Sequence, residues 1–340
     1  MELVNVLASR ARAGRISTAI DEETLRKITA VSPRVKLVEV SDLLSAEQRG
    51  DMVAKENLDA LLAEAEVLFA LRAPQNVVAR APKLKWVQTM SAGVNMFLAP
   101  DLIPVDSPVI LTNTRGVQSV TIAEFTFGLM LMFAKQSLSC FQLKQEKQWK
   151  PVQAGVKTLR SKTVGIVGLG SVGREVARLA KAFGMRVLAE DIRSVARARY
   201  VDTMLRPDQL LQLLSESDFV VLSLALTPET NKLIGEKELR AMKPTAYLIN
   251  IARGPLIDEE VLIHALEEHW IAGAGLDVFA TEPLPTDSKL WELPNVIISP
   301  HTAGAFEDRS KDTGKVFLEN LRRYVSGKRL LNVIDKKKGW

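Results

Sequence analysis

The stretch Thr163-Val-Gly-Ile-Val-Gly168-Leu-Gly170-Ser-Val-Gly173-Arg-Glu-Val-Ala constrains the fold more than any other part of the chain. An apolar strand pattern runs directly into three spaced glycines and then into a helical pattern. That order suits a strand–turn–helix unit built to hold a dinucleotide. Gly168 permits the tight turn, Gly170 lets a pyrophosphate approach the backbone, and Gly173 lets helix and strand pack closely. The start of the helix offers unpaired N–H groups and the positive end of its dipole to phosphates. Eighteen residues after Gly173, at the end of the next strand pattern, stands Asp191, with Glu190 before it. A carboxylate there accepts hydrogen bonds from both ribose hydroxyls of NAD and repels the 2′-phosphate of NADP. Arg193 and Ser194, two and three residues further on, could instead hold that phosphate. NAD is therefore the expected cofactor, with NADP the alternative.

The glycine-rich unit opens the second of two α/β series. Before it, Val4 to Leu7, Val35 to Val40, Val67 to Leu71, Trp86 to Met90 and Val109 to Thr112 read as strands. Asp21 to Ala30, Met52 to Glu64 and Gln75 to Arg80 read as helices between them. In the second series, strands at Val164–Val167, Arg186–Ala189, Phe219–Leu222, Ala246–Ile249, Gly273–Asp277 and Val296–Ile298 alternate with helices starting near Val172, Pro207, Gly235 and Asp258. Asp258 reads as the N-cap of the last of these. Such alternation predicts parallel sheets covered on both faces. At 340 residues the chain is long for one hydrophobic core, which agrees with two domains. Between the series, Val117 to Gln148 reads as one long helical stretch, apolar nearly all round in its first half. Such a helix must be buried on several sides, in the core or at a subunit interface.

Composition narrows the partners. The net charge of +5 is concentrated at Lys336, Lys337 and Lys338, read as a solvated end, and no basic–aromatic platform invites nucleic acid. The apolar run Phe125 to Ala134 is about half the length that crosses a bilayer, so no membrane partner is expected. No basic segment followed by an apolar run opens the chain, and Cys140 is its single cysteine. We therefore expect no signal peptide, no internal disulfide, and a cytoplasmic protein. No metal is expected.

Three segments share a strand followed by a turn that carries a polar residue. They are Tyr247-Leu-Ile-Asn-Ile-Ala-Arg253-Gly-Pro, Gly273-Ala-Gly-Leu-Asp277-Val-Phe-Ala-Thr-Glu282-Pro, and Val296-Ile-Ile-Ser-Pro-His301-Thr-Ala-Gly304. Together with Ser91-Ala-Gly93-Val-Asn95, the glycine-rich stretch and Thr227-Pro-Glu-Thr230, they occur in one order across Ser91 to Gly304. In that order the chain resembles the D-isomer-specific 2-hydroxyacid dehydrogenases.

The resemblance implies two doubly wound parallel-sheet α/β domains, with a Rossmann cofactor domain (residues 114–303) inserted into a flavodoxin-like substrate domain (residues 1–113 and 304–340). It implies an active site in the cleft between them, reversible reduction of a small 2-keto acid to the D-2-hydroxy acid by hydride transfer from NAD(P)H, and a homodimer. Carried over residue by residue, Arg253 would clamp the substrate carboxylate and keto oxygen, a task its planar fork suits better than a lysine's point charge. His301 would be the acid/base, and Glu282 would orient its imidazole and favour the charged form. Main-chain groups at Ala92, Gly93 and Val94 would bind the carboxylate. Ser171 and Val172 would lie against the pyrophosphate, and Asp277 would accept from the nicotinamide carboxamide. Leu224, Ala225, Ile251 and Ala252 would line the cofactor channel, with Gly304 at its edge.

Three alternatives bear on activity, the first being phosphite oxidation, since phosphite dehydrogenases of this fold keep an Arg–Glu–His set. Formate dehydrogenases of similar pattern place glutamine where Glu282 stands, so Glu282 argues for alcohol–carbonyl chemistry. NAD(H)-responsive corepressors keep the fold without needing turnover, and a rate assay separates that class. Neither His264 nor His269 is expected to act, and Arg72 reads as a surface residue. Side-chain selection for the acid is not legible in the chain.

Overall fold

In the computed structural model, residues 3–9, 11–13, 16–18, 20–99, 101–152, 155–193 and 198–340 are described. The chain divides into two compact units, residues 1–118 with 305–340 and residues 119–304.

The first unit is built on strands β1 (Val4–Ala8), β4 (Val35–Glu39), β5 (Val67–Ala70), β6 (Trp86–Thr89) and β7 (Ile110–Thr112), with a small antiparallel hairpin of β2 (Ala11–Ala13) and β3 (Ile16–Thr18) set apart. The five strands are parallel in the order β4-β1-β5-β6-β7, a flavodoxin-like winding. Its helices are α1 (Glu22–Thr29), α2 (Ser41–Gln48), α3 (Met52–Ala63) and α4 (Val77–Arg80). The side chains of Asp21 and Asp51 accept from Thr24 N and Ala54 N, so α1 and α3 begin where a cap residue precedes an apolar pattern. The last helix, α11 (Arg309–Val325), returns to this unit. Its Phe317 stacks on Phe69 at 4.0 Å and on Trp86 at 5.3 Å, and its Asn320 donates to Gln88. The sheet buries an apolar face against α11, which is why the chain's end belongs with its beginning.

The second unit starts with α5 (Ser119–Ala134) and α6 (Ser137–Gln145). Its sheet comprises β8 (Thr163–Val167), β9 (Arg186–Glu190), β10 (Thr203–Leu205), β11 (Phe219–Leu222), β12 (Tyr247–Asn250), β13 (Gly273–Leu276) and β14 (Val296–Ile298). All seven are parallel, in the order β10-β9-β8-β11-β12-β13-β14. Helices α7 (Ser171–Ala182), α8 (Leu210–Glu216), α9 (Glu236–Ala241) and α10 (Glu259–Glu267) connect them. The winding reverses between β8 and β11, whose carboxyl ends therefore border a ligand crevice.

Three sequence readings need correction. The Val117–Gln148 stretch is two helices, because Gln136 takes a left-handed conformation (φ 56°) that ends one helix before the next begins. Its side-chain amide donates to Phe133 O and Gly155 O, which fixes the break. The apolar half packs within its own unit: Phe133 stacks on Tyr247 at 4.5 Å, and a Cβ on Gly275 would lie 3.0 Å from Leu129. Asp258 does sit at the cap position of α10, but its side chain caps nothing and pairs with Lys232 Nζ at 2.9 Å. Finally, α4 is shorter than the Gln75–Arg80 pattern, since Asn76 is left-handed (φ 54°).

Candidate active site

The dinucleotide cradle comes first along the chain. Gly168 has φ 93°, and a Cβ there would lie 2.9 Å from the Leu224 backbone. Only glycine fits that turn, because the loop after β11 crosses directly over it. A Cβ on Gly173 would meet Gly168 O at 2.3 Å, so helix α7 rests on the turn itself. Gly170 is different. A side chain there would enter open space, room of the kind a pyrophosphate needs above the helix start. Helix α7 begins at Ser171 with Gly170 as its cap, and among the described residues no side chain caps its first N–H groups. The residues present therefore fit a dinucleotide. Opposite the glycines, Thr230 Oγ1 donates to Ala225 O and accepts from Thr227 N, which fixes the loop carrying Leu224 and Ala225.

At the end of β9, Asp191 is buried and fully engaged. Oδ1 accepts from Arg193 N and Nε, both at 2.9 Å, and Oδ2 accepts from Leu169 N at 2.8 Å and Arg193 Nη2 at 2.9 Å. Burial alone would raise this carboxyl, but the Arg193 and Leu169 hydrogen bonds outweigh it and hold it below the ordinary aspartate value. Four donors use the carboxylate's whole lone-pair capacity. Arg193 is thus turned onto Asp191, and Ser194 lies outside the described residues.

The reactive cluster is assembled by three turns at neighbouring strand ends. After β12, buried Asn250 accepts from Ala252 N at 3.1 Å and donates to Arg253 O at 2.8 Å. Those two bonds lock the turn through Ile251 and Ala252 that carries Arg253. Gly254 follows, and a Cβ on it would fall 1.9 Å from the Phe279 backbone, so the turns after β12 and β13 touch main chain to main chain. Burial lowers the pKa of Arg253, and the nearby Glu282 charge works in the opposite direction.

Glu282 Oε1 accepts from Phe279 N at 3.1 Å, and its Oε2 lies 2.8 Å from His301 Nδ1. Burial pushes the Glu282 carboxyl up. The His301 hydrogen bond and charge, the Phe279 N–H and Arg253 outweigh it, and Glu282 titrates below the ordinary glutamate range. An ionised carboxylate only accepts, so Nδ1 carries the proton and Nε2 is the nitrogen left for substrate. His301 sits in a left-handed conformation (φ 54°) and its N–H donates to Asp277 O.

Buried Asp277 holds the turn beneath the histidine. Oδ1 accepts from Ser299 Oγ at 2.6 Å, Thr302 N at 2.7 Å and Ala303 N at 3.1 Å, and Oδ2 accepts from Ala303 N at 3.0 Å. Burial raises its pKa despite those bonds. Gly304 closes the turn and the unit. Sequence reading missed Asn250, Ser299 and Gly254. The signal for Asn250 was present, a polar residue ending an otherwise apolar strand.

In the first unit, Ala92, Gly93 and Val94 lie just after β6. Asn113 Nδ2 donates to Ala92 O at 2.5 Å and Thr114 N donates to Ser91 O at 3.2 Å. Among the described residues, the N–H groups of Gly93 and Val94 donate to no protein acceptor. Arg72, after β5, is exposed; His264 packs edge-on to Trp270 at 5.1 Å.

Comparison with known proteins bears on the family and the fold. Residues 127–303 match the family described as D-isomer specific 2-hydroxyacid dehydrogenase, NAD binding domain. A glyoxylate reductase of Korarchaeum cryptofilum is 38% identical over 75% of this chain and 77% of its own. A second, from Thermofilum pendens, is 34% identical over 88% of this chain and 90% of its own. The crystal structure of a D-isomer specific 2-hydroxyacid dehydrogenase from Xanthobacter autotrophicus, in complex with NADPH and MES, superposes with a TM-score of 0.80 at 28% identity, covering 98% of this chain and 99% of that one. The chain belongs to the D-isomer-specific 2-hydroxyacid dehydrogenase family, nicotinamide-dependent oxidoreductases that interconvert 2-keto and 2-hydroxy acids.

Proposed function

We propose that the protein reduces a small 2-keto acid, glyoxylate and hydroxypyruvate foremost, to the D-2-hydroxy acid, with NADH preferred to NADPH. The Glu282–His301 pair at 2.8 Å, with Arg253 close enough to lower the Glu282 pKa, carries this reading. A nicotinamide held at the cradle supplies the hydride. Arg253 binds the carboxylate and keto oxygen with its planar fork. His301 gives its proton from Nε2 to the keto oxygen, and Glu282, ionised, favours the imidazolium that does so. Oxidation of the hydroxy acid runs the same transfer backwards. Asp277 Oδ2, with one protein donor, keeps a lone pair for the nicotinamide carboxamide. Steady-state kcat/KM for each keto acid with each cofactor tests the assignment. The reading fails if no 2-keto acid is turned over by a protein that binds NADH.

The Glu282–His301 pairing has its own test. Glu282→Gln keeps an oxygen that can accept from Nδ1 but removes the negative charge beside the imidazole. kcat for keto-acid reduction is expected to fall while NADH affinity holds. An unchanged kcat in the variant would disprove the pairing.

The cofactor preference follows from competition at Asp191. Ribose hydroxyls must take lone pairs that Arg193 holds, so the NADH preference is expected to be real but limited, on the order of tenfold in kcat/KM or about 1.4 kcal/mol. Asp191→Ala should narrow it chiefly by improving NADPH. Arg193→Ala should widen it, because two carboxylate sites are freed and a cation near the phosphate is lost. A parent enzyme that already favours NADPH contradicts this assignment.

A homodimer completes the proposal. Val120, Phe141, Trp149 and Val156 are exposed in and just after α5 and α6, with Trp149 at 101%. Apolar exposure on that scale in one stretch marks an association surface. Light scattering should give about twice the chain mass, and Phe141→Asp with Trp149→Asp should lower it to one chain. A parent protein that is already monomeric refutes this part.

A further inference from the structure

His301 has φ 54°, in the left-handed region that residues other than glycine keep only where their surroundings enforce it. Asp277, directly after β13, supplies the enforcement. Its carbonyl accepts from His301 N at 2.9 Å. Its carboxylate accepts from the next two N–H groups of the turn, Thr302 N at 2.7 Å and Ala303 N at 3.0 and 3.1 Å. Successive N–H groups that converge in this way form a concave anion site. The carboxylate and the left-handed backbone therefore stabilise each other.

Asp277 is itself 2% exposed, and a charge that dry persists only while donors surround it. Among the described residues one side chain donates to it, Ser299, whose Oγ lies 2.6 Å from Oδ1 and makes the shortest of its bonds. Burial pushes the Asp277 carboxyl up, and the Ser299 bond stands first among the contacts that oppose it. Ser299 makes no bond to the imidazole, whose Nδ1 is taken by Glu282.

We propose that Ser299 is a positioning residue for proton transfer: its hydroxyl fixes the Asp277 carboxylate beneath the turn, and that carboxylate holds His301 in line with the keto oxygen. The inference rests on His301 being the proton donor. Without the hydroxyl, Asp277 loses its shortest bond and is free to turn. The N–H groups of Thr302 and Ala303 then lose their fixed acceptor, and the left-handed backbone at His301 relaxes. A shift of about 1 Å at a reacting atom costs up to about a hundredfold in rate, far more than the bond itself.

The test is a double-mutant cycle on the single-turnover rate of NADH oxidation, with whichever of glyoxylate, hydroxypyruvate and pyruvate the parent reduces fastest. In the parent background Ser299→Ala should slow that rate by about 10–100-fold. Kd for NADH, read by nucleotide fluorescence, should change little. Ser299→Thr, which keeps a hydroxyl on the same carbon, should restore most of the rate. In the His301→Ala background, Ser299→Ala should cost nothing further, because the group it positions is gone. A serine that merely supports the fold would slow both backgrounds alike. Equal losses in the two backgrounds, a parent-like rate in Ser299→Ala, or an alanine-like rate in Ser299→Thr would overturn the proposal. Failure of the underlying reading shows separately: if His301→Ala alone keeps the parent rate, His301 is not the donor and this proposal falls with that reading.

Discussion

Replacing His301 with alanine is expected to slow keto-acid reduction by about 10²–10⁴ while leaving NADH affinity intact. The magnitude is that of a positioned acid/base. The imidazole is held at Nδ1 by Glu282, at its main-chain N–H by Asp277 O, and through the turn by the four bonds to the Asp277 carboxylate. A group so fixed loses little entropy at the moment of transfer, and its removal leaves hydride transfer to form an unprotonated alkoxide. The dinucleotide cradle is formed by the glycine turn after β8 and the loop after β11, so binding by fluorescence should change little. The His301 side chain is 49% exposed, so truncation opens no cavity and the fold should hold. Reduction at the parent's rate in His301→Ala would end the acid/base assignment.

The second large effect is expected at Arg253. Arg253→Lys keeps a positive charge but loses the fork, and both KM and kcat for the keto acid should worsen. One charge-assisted hydrogen bond is worth about 1.5–3 kcal/mol, so kcat/KM should fall by about 10–150-fold. The turn is secured by Asn250 and by the contact of Gly254 with Phe279, and the guanidinium adds one bond of its own, from Nη1 to Ala252 O. A loss confined to the keto acid, with unchanged NADH affinity, therefore identifies recognition and not misfolding. Unchanged kinetics would move Arg253 to a structural role. If Arg253→Lys instead lowers Tm steeply, Arg253→Gln with added guanidinium as a rescuing solute keeps the question open to measurement.

Much of this was legible because buried parallel strands write themselves as short apolar runs. Val164–Val167, Phe219–Leu222 and Val296–Ile298 fall at or within a residue of the observed strands. The glycine triplet was readable because Gly168 and Gly173 answer steric demands that no other residue meets, while Gly170 leaves open the space above the helix start. What the chain hid is conformational or long-range. Helix α2 lacks a side-chain cap, β10 is three residues long, and the break at Gln136 depends on a contact with Gly155 nineteen positions away. Arg253, Glu282 and His301 were legible as candidates through their order in the sequence, and the structure brings Glu282 and His301 together. What surrounds them was not: Asn250, Gly254 and Ser299 act through side-chain hydrogen bonds and a close main-chain approach that appear only once three strand ends stand side by side. The Arg193–Asp191 clamp was invisible for a similar reason, since a two-residue spacing says nothing about which way a guanidinium turns.

The central claim is that this protein is a keto-acid reductase whose proton comes from His301. It is tested most directly by following NADH consumption with glyoxylate, hydroxypyruvate and pyruvate, for the parent and for His301→Ala side by side. The account predicts turnover of at least one of these acids by the parent, D-glycerate as the product from hydroxypyruvate, and a rate lower by about two to four orders of magnitude in the variant. NADH binding without consumption, an L product, or equal rates in the two proteins would contradict it.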